Sequence, residues 1–119
     1  MTTYAVKPLS GSTDFRGVKV AATATPGTSL HVAGAVTGDN NLDVVNLEAV
    51  NTDTVARKLT IEWGGTTAPD DLTEITLPPE SGRIPVVDSG RIRNGLTIRA
   101  FAETANVVIV FGHVLAVRA

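Results

Sequence analysis

The side chains best suited to proton transfer or metal ligation are two histidines, His31 and His113. They form no H-x-x-x-H or H-x-H pair, the spacings that put two imidazoles on one face of an element. A lone histidine in a strand is usually a packed or surface residue, so no metal ligand is assigned. The run Asp39-Asn40-Asn41-Leu42-Asp43 has the oxygen-rich look of a calcium loop. Its glycine, Gly38, precedes the acidic residues where a calcium loop needs it to follow them, which leaves an ordinary turn. Asp70 and Asp71 are adjacent, and neighbouring carboxylates in a loop or strand point apart. An acid/base pair needs two carboxyls that share a site with differently shifted pKa values, so these two are read as turn caps. The serines at 10, 12, 29, 81 and 89 lie in turn-like contexts, none in G-x-S-x-G. Gly64-Gly65 lacks the Lys-Ser/Thr of a phosphate loop. With no cysteine there is no thiolate nucleophile, thiolate metal site or disulfide. The expectation is a non-enzymatic protein with no catalytic residue, cofactor or metal.

The basic residues are more suggestive. Arg83, Arg91, Arg93 and Arg99 are four of the seven arginines and fall within seventeen residues. Guanidinium pairs bidentately with carboxylates, so the group reads either as a solvated face or as an adhesive patch for an acidic protein surface. A nucleic-acid partner is not expected. There are three lysines, the net charge is −2 and the few aromatics are scattered, whereas nucleic-acid binders carry a basic footprint with stacking rings. Trp63 is the sole tryptophan and, without aromatic partners beside it, reads as a core anchor rather than a sugar platform.

The elements that position these residues are strands. The chain of 119 residues is one domain's worth, able to bury roughly two-thirds of its unfolded surface. Val, Thr and Ala number 16, 16 and 14, while charged residues reach only 18%, below the roughly 25% of an average soluble protein. Period-two alternation bounded by turn residues marks Val18–Thr25, Leu30–Val36, Leu42–Asn51, Arg57–Trp63, Leu72–Leu77, Arg83–Val87 and Leu96–Glu103. In Leu42–Asn51 the face with Val45, Leu47 and Ala49 is the dry one. In Arg57–Trp63, Leu59, Ile61 and Trp63 face inward, and Lys58, Thr60 and Glu62 outward. Pro85 places its segment at a sheet edge or a bulge. Asp88-Ser89-Gly90 and Asn94-Gly95 read as turns.

No amphipathic helix with caps is present. Seven to nine short strands at about ten-residue spacing predict an all-β fold, an antiparallel two-sheet β-sandwich or jelly roll, with a small closed barrel as the alternative. Residues 18–119 form the sandwich domain, and 1–17 an N-terminal arm or edge segment. No run reaches 18 apolar residues and the N-terminus lacks a signal-peptide layout, so no membrane contact is expected and synthesis is placed in the cytoplasm.

The last segment, Val107–Val117, is apolar on both faces apart from His113. An antiparallel sandwich strand is normally wet on one side. Its second face is therefore covered by the chain's own N-terminal arm or by another subunit. Val108, Val110, Val114 and Ala116 are the candidate subunit-interface residues.

The C-terminal half reads RKLTIEWGGT (57–66), DDL (70–72), ITLPPESG (75–82), IPVV (84–87), NGLTIRAFA (94–102) and VFGHV (110–114). This order resembles small β-sandwich virion proteins of tailed bacteriophages, of the kind that decorate or cement capsids, over about residues 42–119. The resemblance implies a non-enzymatic protein on the outer surface of the virion, a homo-oligomer whose partner is the major capsid protein. Neck, tail and head-fibre components are the alternative within the virion, and a carbohydrate-binding module outside it. No contact residue is carried over from the resemblance. Under it, Arg83, Arg91, Arg93 and Arg99 become the candidate capsid-contact patch.

Overall fold

The computed structural model describes residues 1–119 as nine strands and no helix. They are β1 (Thr3–Pro8), β2 (Val18–Lys19), β3 (Thr28–Val32), β4 (Leu42–Asn51), β5 (Arg57–Trp63), β6 (Leu72–Leu77), β7 (Ile84–Ile92), β8 (Thr97–Ala102) and β9 (Val108–Arg118). They form two antiparallel sheets. One has the order β1-β9-β4-β7, with β2 also on β9; the other runs β3-β8-β5-β6. The architecture is the expected all-β sandwich.

Strict alternation sets the inner face of the larger sheet. In β4 the buried residues are Asp43, Val45, Leu47, Ala49 and Asn51, and the residues between them are half-buried. Its whole length pairs with β9, from Leu42↔Val117 to Asn51↔Val108. This pairing puts Val108, Val110, Val114 and Ala116 on the inner face as well, at 0, 0, 0 and 3% exposure. The candidate subunit interface is thereby corrected. Val108, Val110 and Val114 join Leu30, Leu59, Ile61 and Ile98 of the opposite sheet in one core, and Ala116 is buried on the same face. Each such apolar side chain contributes about 1.5–3 kcal/mol by leaving water. The outward face of β9 carries Ile109, Phe111, His113, Leu115 and Val117.

The N-terminal segment is an edge of the sandwich. β1 and β2 both pair with β9, at His113–Arg118 and Ile109–Val110 respectively. They lie one after the other along the edge of β9 that β4 leaves open. The chain between them leaves the sheet and returns, anchored by fully buried Leu9 on one side and Val18 on the other.

Several local expectations change. Val18–Thr25 contributes only two strand residues, because residues 20–27 cross from one sheet to the other. Val20 N–H donates to Val108 O and Ala102 N–H to Ala22 O. Asp88-Ser89-Gly90 is no turn: β7 runs through it, with register shifts against β4 and Ser89 in the left-handed region at φ 56°. Pro85 is in this edge strand, as its missing N–H requires. In β3 a bulge between Ser29 and His31 turns both Leu30 and His31 inward, at 0 and 5% exposure, where plain alternation separates them. Thr60 and Glu62, expected outside, are also buried. The Thr25–Gly27 turn lies over Glu62, with Gly27 so close to the Ala100 backbone that a Cβ there would overlap it.

Candidate functional site

The polar residues buried in the sandwich are committed to holding it together. His31, Asp43 and Arg118 form one cluster. The Ser10 amide donates to His31 Nδ1 at 3.0 Å, which leaves the ring proton on Nε2, 2.9 Å from Asp43 Oδ2. Arg118 reaches Asp43 Oδ1 at 2.9 Å, and the Gly34 amide reaches Oδ2 at 3.1 Å. Burial alone would push the Asp43 carboxyl up. The hydrogen bonds from His31, Arg118 and Gly34, with the Arg118 charge, together hold it below its ordinary 3.8. A serine, a histidine and an aspartate meet here without the geometry of a nucleophilic triad. Ser10 Oγ accepts from the Val32 amide and does not face the imidazole. The cluster braces the N-terminal segment, β3, β4 and the end of β9.

Glu62 is the second cluster. Its oxygens accept from Thr25 Oγ1 and the Gly27 amide, each at 2.6 Å, which fixes the turn that covers it. Asn51, also fully buried, donates to the Val55, Leu77 and Pro78 carbonyls and accepts from the Asp53 amide. No buried side-chain nitrogen or oxygen lacks a partner.

The remaining sequence candidates are scattered. Asp71 Oδ2 accepts from the Thr67 amide and caps its turn, while Asp70 is exposed beside it. Asn41, from the oxygen-rich run, donates to Thr37 O and accepts from the Ala119 amide, while Asp43 points inward. His113 is exposed on the outer face, 3.5 Å from Asn46, above a groove of about 400 Å³ that Glu48 and Asp88 also line. No group of three or more His, Cys, Asp or Glu side chains comes together in a metal-holding arrangement. Trp63 packs against the core, and its indole N–H donates to Arg91 O at 3.3 Å.

The four arginines of the candidate patch do not meet. Arg83 precedes β7 and Arg91 lies near its other end, eight residues on, roughly 25 Å along a strand at about 3.3 Å per residue. Arg91 and Arg93 line shallow hollows beside Trp63 and Leu42. Arg99 is on β8 in the other sheet. The single patch is thus corrected to three separate places.

Arg83 instead meets a residue outside that patch. Its guanidinium lies 3.8 Å above the centroid of the Phe111 ring on the outward face of β9. Beside it the chain between β1 and β2 folds over Ile109 and Phe111, and together they enclose an open cavity of about 590 Å³. Arg16 lines the same cavity with Phe15 and Ser12. Gly17 closes the approach, since a Cβ there would overlap Ile109 and Phe111. The apolar outer face of β9 is therefore covered in this half by the chain's own N-terminal segment. In the other half Leu115 and Val117 stay half-buried beside Tyr4 and Val6, which are 67 and 68% exposed.

Arg16 and Phe15 carry no sequence signal beyond their place in the N-terminal arm, residues 1–17. Nothing local announces that this stretch returns to the outer face of a strand ninety residues away.

No protein-family model, curated protein or solved structure matches the chain.

Proposed function

We propose that this protein is a non-enzymatic virion component that decorates an assembled bacteriophage capsid, binding an acidic surface of the shell protein through its arginines. One observation carries the reading. Of seven arginines, Arg57 and Arg118 are ion-paired, leaving Arg16, Arg83, Arg91, Arg93 and Arg99 with no carboxylate within 4.0 Å. The chain has twelve acidic residues, so this separation is a matter of placement and not of supply. Arginine is the cation suited to protein interfaces, because its planar fork matches carboxylates and is weakly hydrated. The resemblance of residues 42–119 to capsid-decorating proteins supplies the partner. Three arginine sites on different parts of one small domain suit a binder that touches neighbouring capsid subunits, where multivalency multiplies modest affinities.

The test uses heads assembled without this protein. Purified protein added to them is expected to co-sediment, to show density distributed over the shell, and to release when salt is raised. Density at a single vertex overturns decoration in favour of a neck component. Absence of binding at low salt overturns the virion reading.

A further inference from the structure

Three arginines make neither an ion pair nor a side-chain hydrogen bond: Arg16, Arg83 and Arg99. Two of these, from segments 67 residues apart in sequence, line the same cavity. We propose that this cavity is a receptor for a carboxylate carried on an acidic peptide segment of a partner protein, with Arg16 and Arg83 as the paired donors.

The cavity is held open by the fold. Its loop is rooted at fully buried Leu9, and the Gly11 amide donates to Leu30 O on the opposite sheet. Inside the loop the Ser12 amide donates to Leu9 O, the Arg16 amide to Thr13 O, and Ser12 Oγ to Arg16 O. Asp14 and Phe15 are both left-handed, at φ 52° and 65°. Such a conformation costs about 1–2 kcal/mol for a residue with a side chain, and two in succession persist only where the surrounding contacts over-determine them. The turn they make brings Phe15 and Arg16 to the cavity opposite Arg83.

The chemistry selects the ligand. Arg83 is held 3.8 Å over the Phe111 ring centroid and lines the cavity, with none of its N–H groups taken by a side-chain hydrogen bond or ion pair. Arg16 supplies a second set of donors. Glu48 is paired with Phe111 across β4 and β9, yet its carboxylate stays beyond 4.0 Å of Arg83, and Asp14 is equally unpaired. Two guanidinium groups without an internal counter-ion match a carboxylate, with the apolar floor of Ile109 and Phe111 beneath its methylenes. A polyanion such as nucleic acid is disfavoured by the net charge of −2.

The inference does not depend on the capsid reading, and the test separates the two. The intact protein is titrated with a capped Gly-Glu-Glu-Gly peptide while NMR follows the Arg16 and Arg83 side-chain N–H signals and the Gly17 amide. Saturable shifts are expected there, at least tenfold weaker binding in the Arg16→Gln, Arg83→Gln double variant, and unchanged binding in Arg91→Gln, Arg93→Gln. The side chains of both exposed arginines make no hydrogen bond, and the backbone bonds of Arg16 remain in Arg16→Gln, so the double variant keeps its fold, which its amide spectrum checks. Equal shifts with a Gly-Gln-Gln-Gly peptide, or no shifts at millimolar peptide, overturn the proposal. Tighter binding of glucuronate or inorganic phosphate overturns the peptide assignment. Peptide binding without binding to heads leaves the cavity standing and removes the capsid reading. Full binding to heads by the double variant, with no peptide shifts in the wild type, does the reverse.

Discussion

The two outer faces of the sandwich are closed in different ways. Over the four-stranded sheet the Thr25–Gly27 turn is drawn down by Glu62 until both its oxygens are occupied. Over the five-stranded sheet the segment between β1 and β2 also folds back, but it brings Arg16 to the cavity that Arg83 lines from just before β7, and neither guanidinium has an ion pair or a side-chain hydrogen bond. Each cover orders a loop on an exposed sheet face. One cover satisfies its polar groups internally and builds stability. The other leaves charged donors at a fixed place, which is the arrangement recognition requires.

That contrast can be broken from the inside. The largest effect is expected at the inner face of β9. Val110→Asp puts a carboxylate into a fully buried site with no cation facing it and should unfold the protein, a loss above about 4 kcal/mol. Leu115→Asp, on the outward face of the same strand, should cost no more than about 1 kcal/mol. Thermal melts of the pair decide it, and equal losses would mean that β9 does not face the core as described.

A smaller loss, about 3 kcal/mol or roughly 10 °C in Tm, is expected for Asp43→Ala, which leaves buried His31 and half-buried Arg118 short of their acceptor. The carboxyl of Asp43 is held below 3.8 in the folded protein. Its contribution is therefore present above that value and is lost as pH falls below it through the folded value. Denaturant midpoints of the wild type should drop over that acidic range, and Asp43→Asn should flatten that part of the drop. An unchanged acid profile in Asp43→Asn would count against the cluster as a brace.

A still smaller loss than for Asp43→Ala, about 2 kcal/mol, is expected for Glu62→Ala, which orphans the Thr25 hydroxyl and the Gly27 amide. Hydrogen exchange at Gly27 should accelerate in that variant while exchange at Gly17 stays unchanged. Acceleration at both would show that the two covers are coupled, and the comparison between them would fail.

Much of the scaffold was readable in the residues. β4, β5 and β6 match the alternating segments residue for residue, because each alternates at period two and is bounded by strong turn residues. β8 and β9 are displaced by a residue or so at their ends. What could not be read depends on contacts distant in sequence. Glu62 has the pattern of a solvent-facing residue, and only the crossing of residues 20–27 over it makes it buried. The bulge at Leu30 turns His31 inward against the alternation of its own strand. The apolar run of β9 marks two faces shielded to different degrees: the inner face is buried, and the outer one is covered by the N-terminal segment only over Ile109 and Phe111. Which face met the core was set by its pairing with β4, and the choice made from the run alone was the opposite one. Closeness in sequence groups the arginines, yet β7 is long enough to separate Arg83 from Arg91, and the arginine that shares a cavity with Arg83, Arg16, is 67 residues away in sequence.

The placement of β1 also has a mechanical side. Thr3 is paired with Arg118 and Pro8 with His113, so β1 leaves the sheet at the end where β9 finishes. A pull that separates Thr3 from Arg118 meets one rung at a time, like opening a zip, and should peel β1 at low force in a single-molecule stretching experiment. A pull on the Arg16 loop enters the sheet on both sides, through β1 at Pro8 and through β2 at Val18, and is shared between rungs on a single strand. The same edge is thus weak when tugged at its end and firm when gripped at its middle, where the arginine cavity sits.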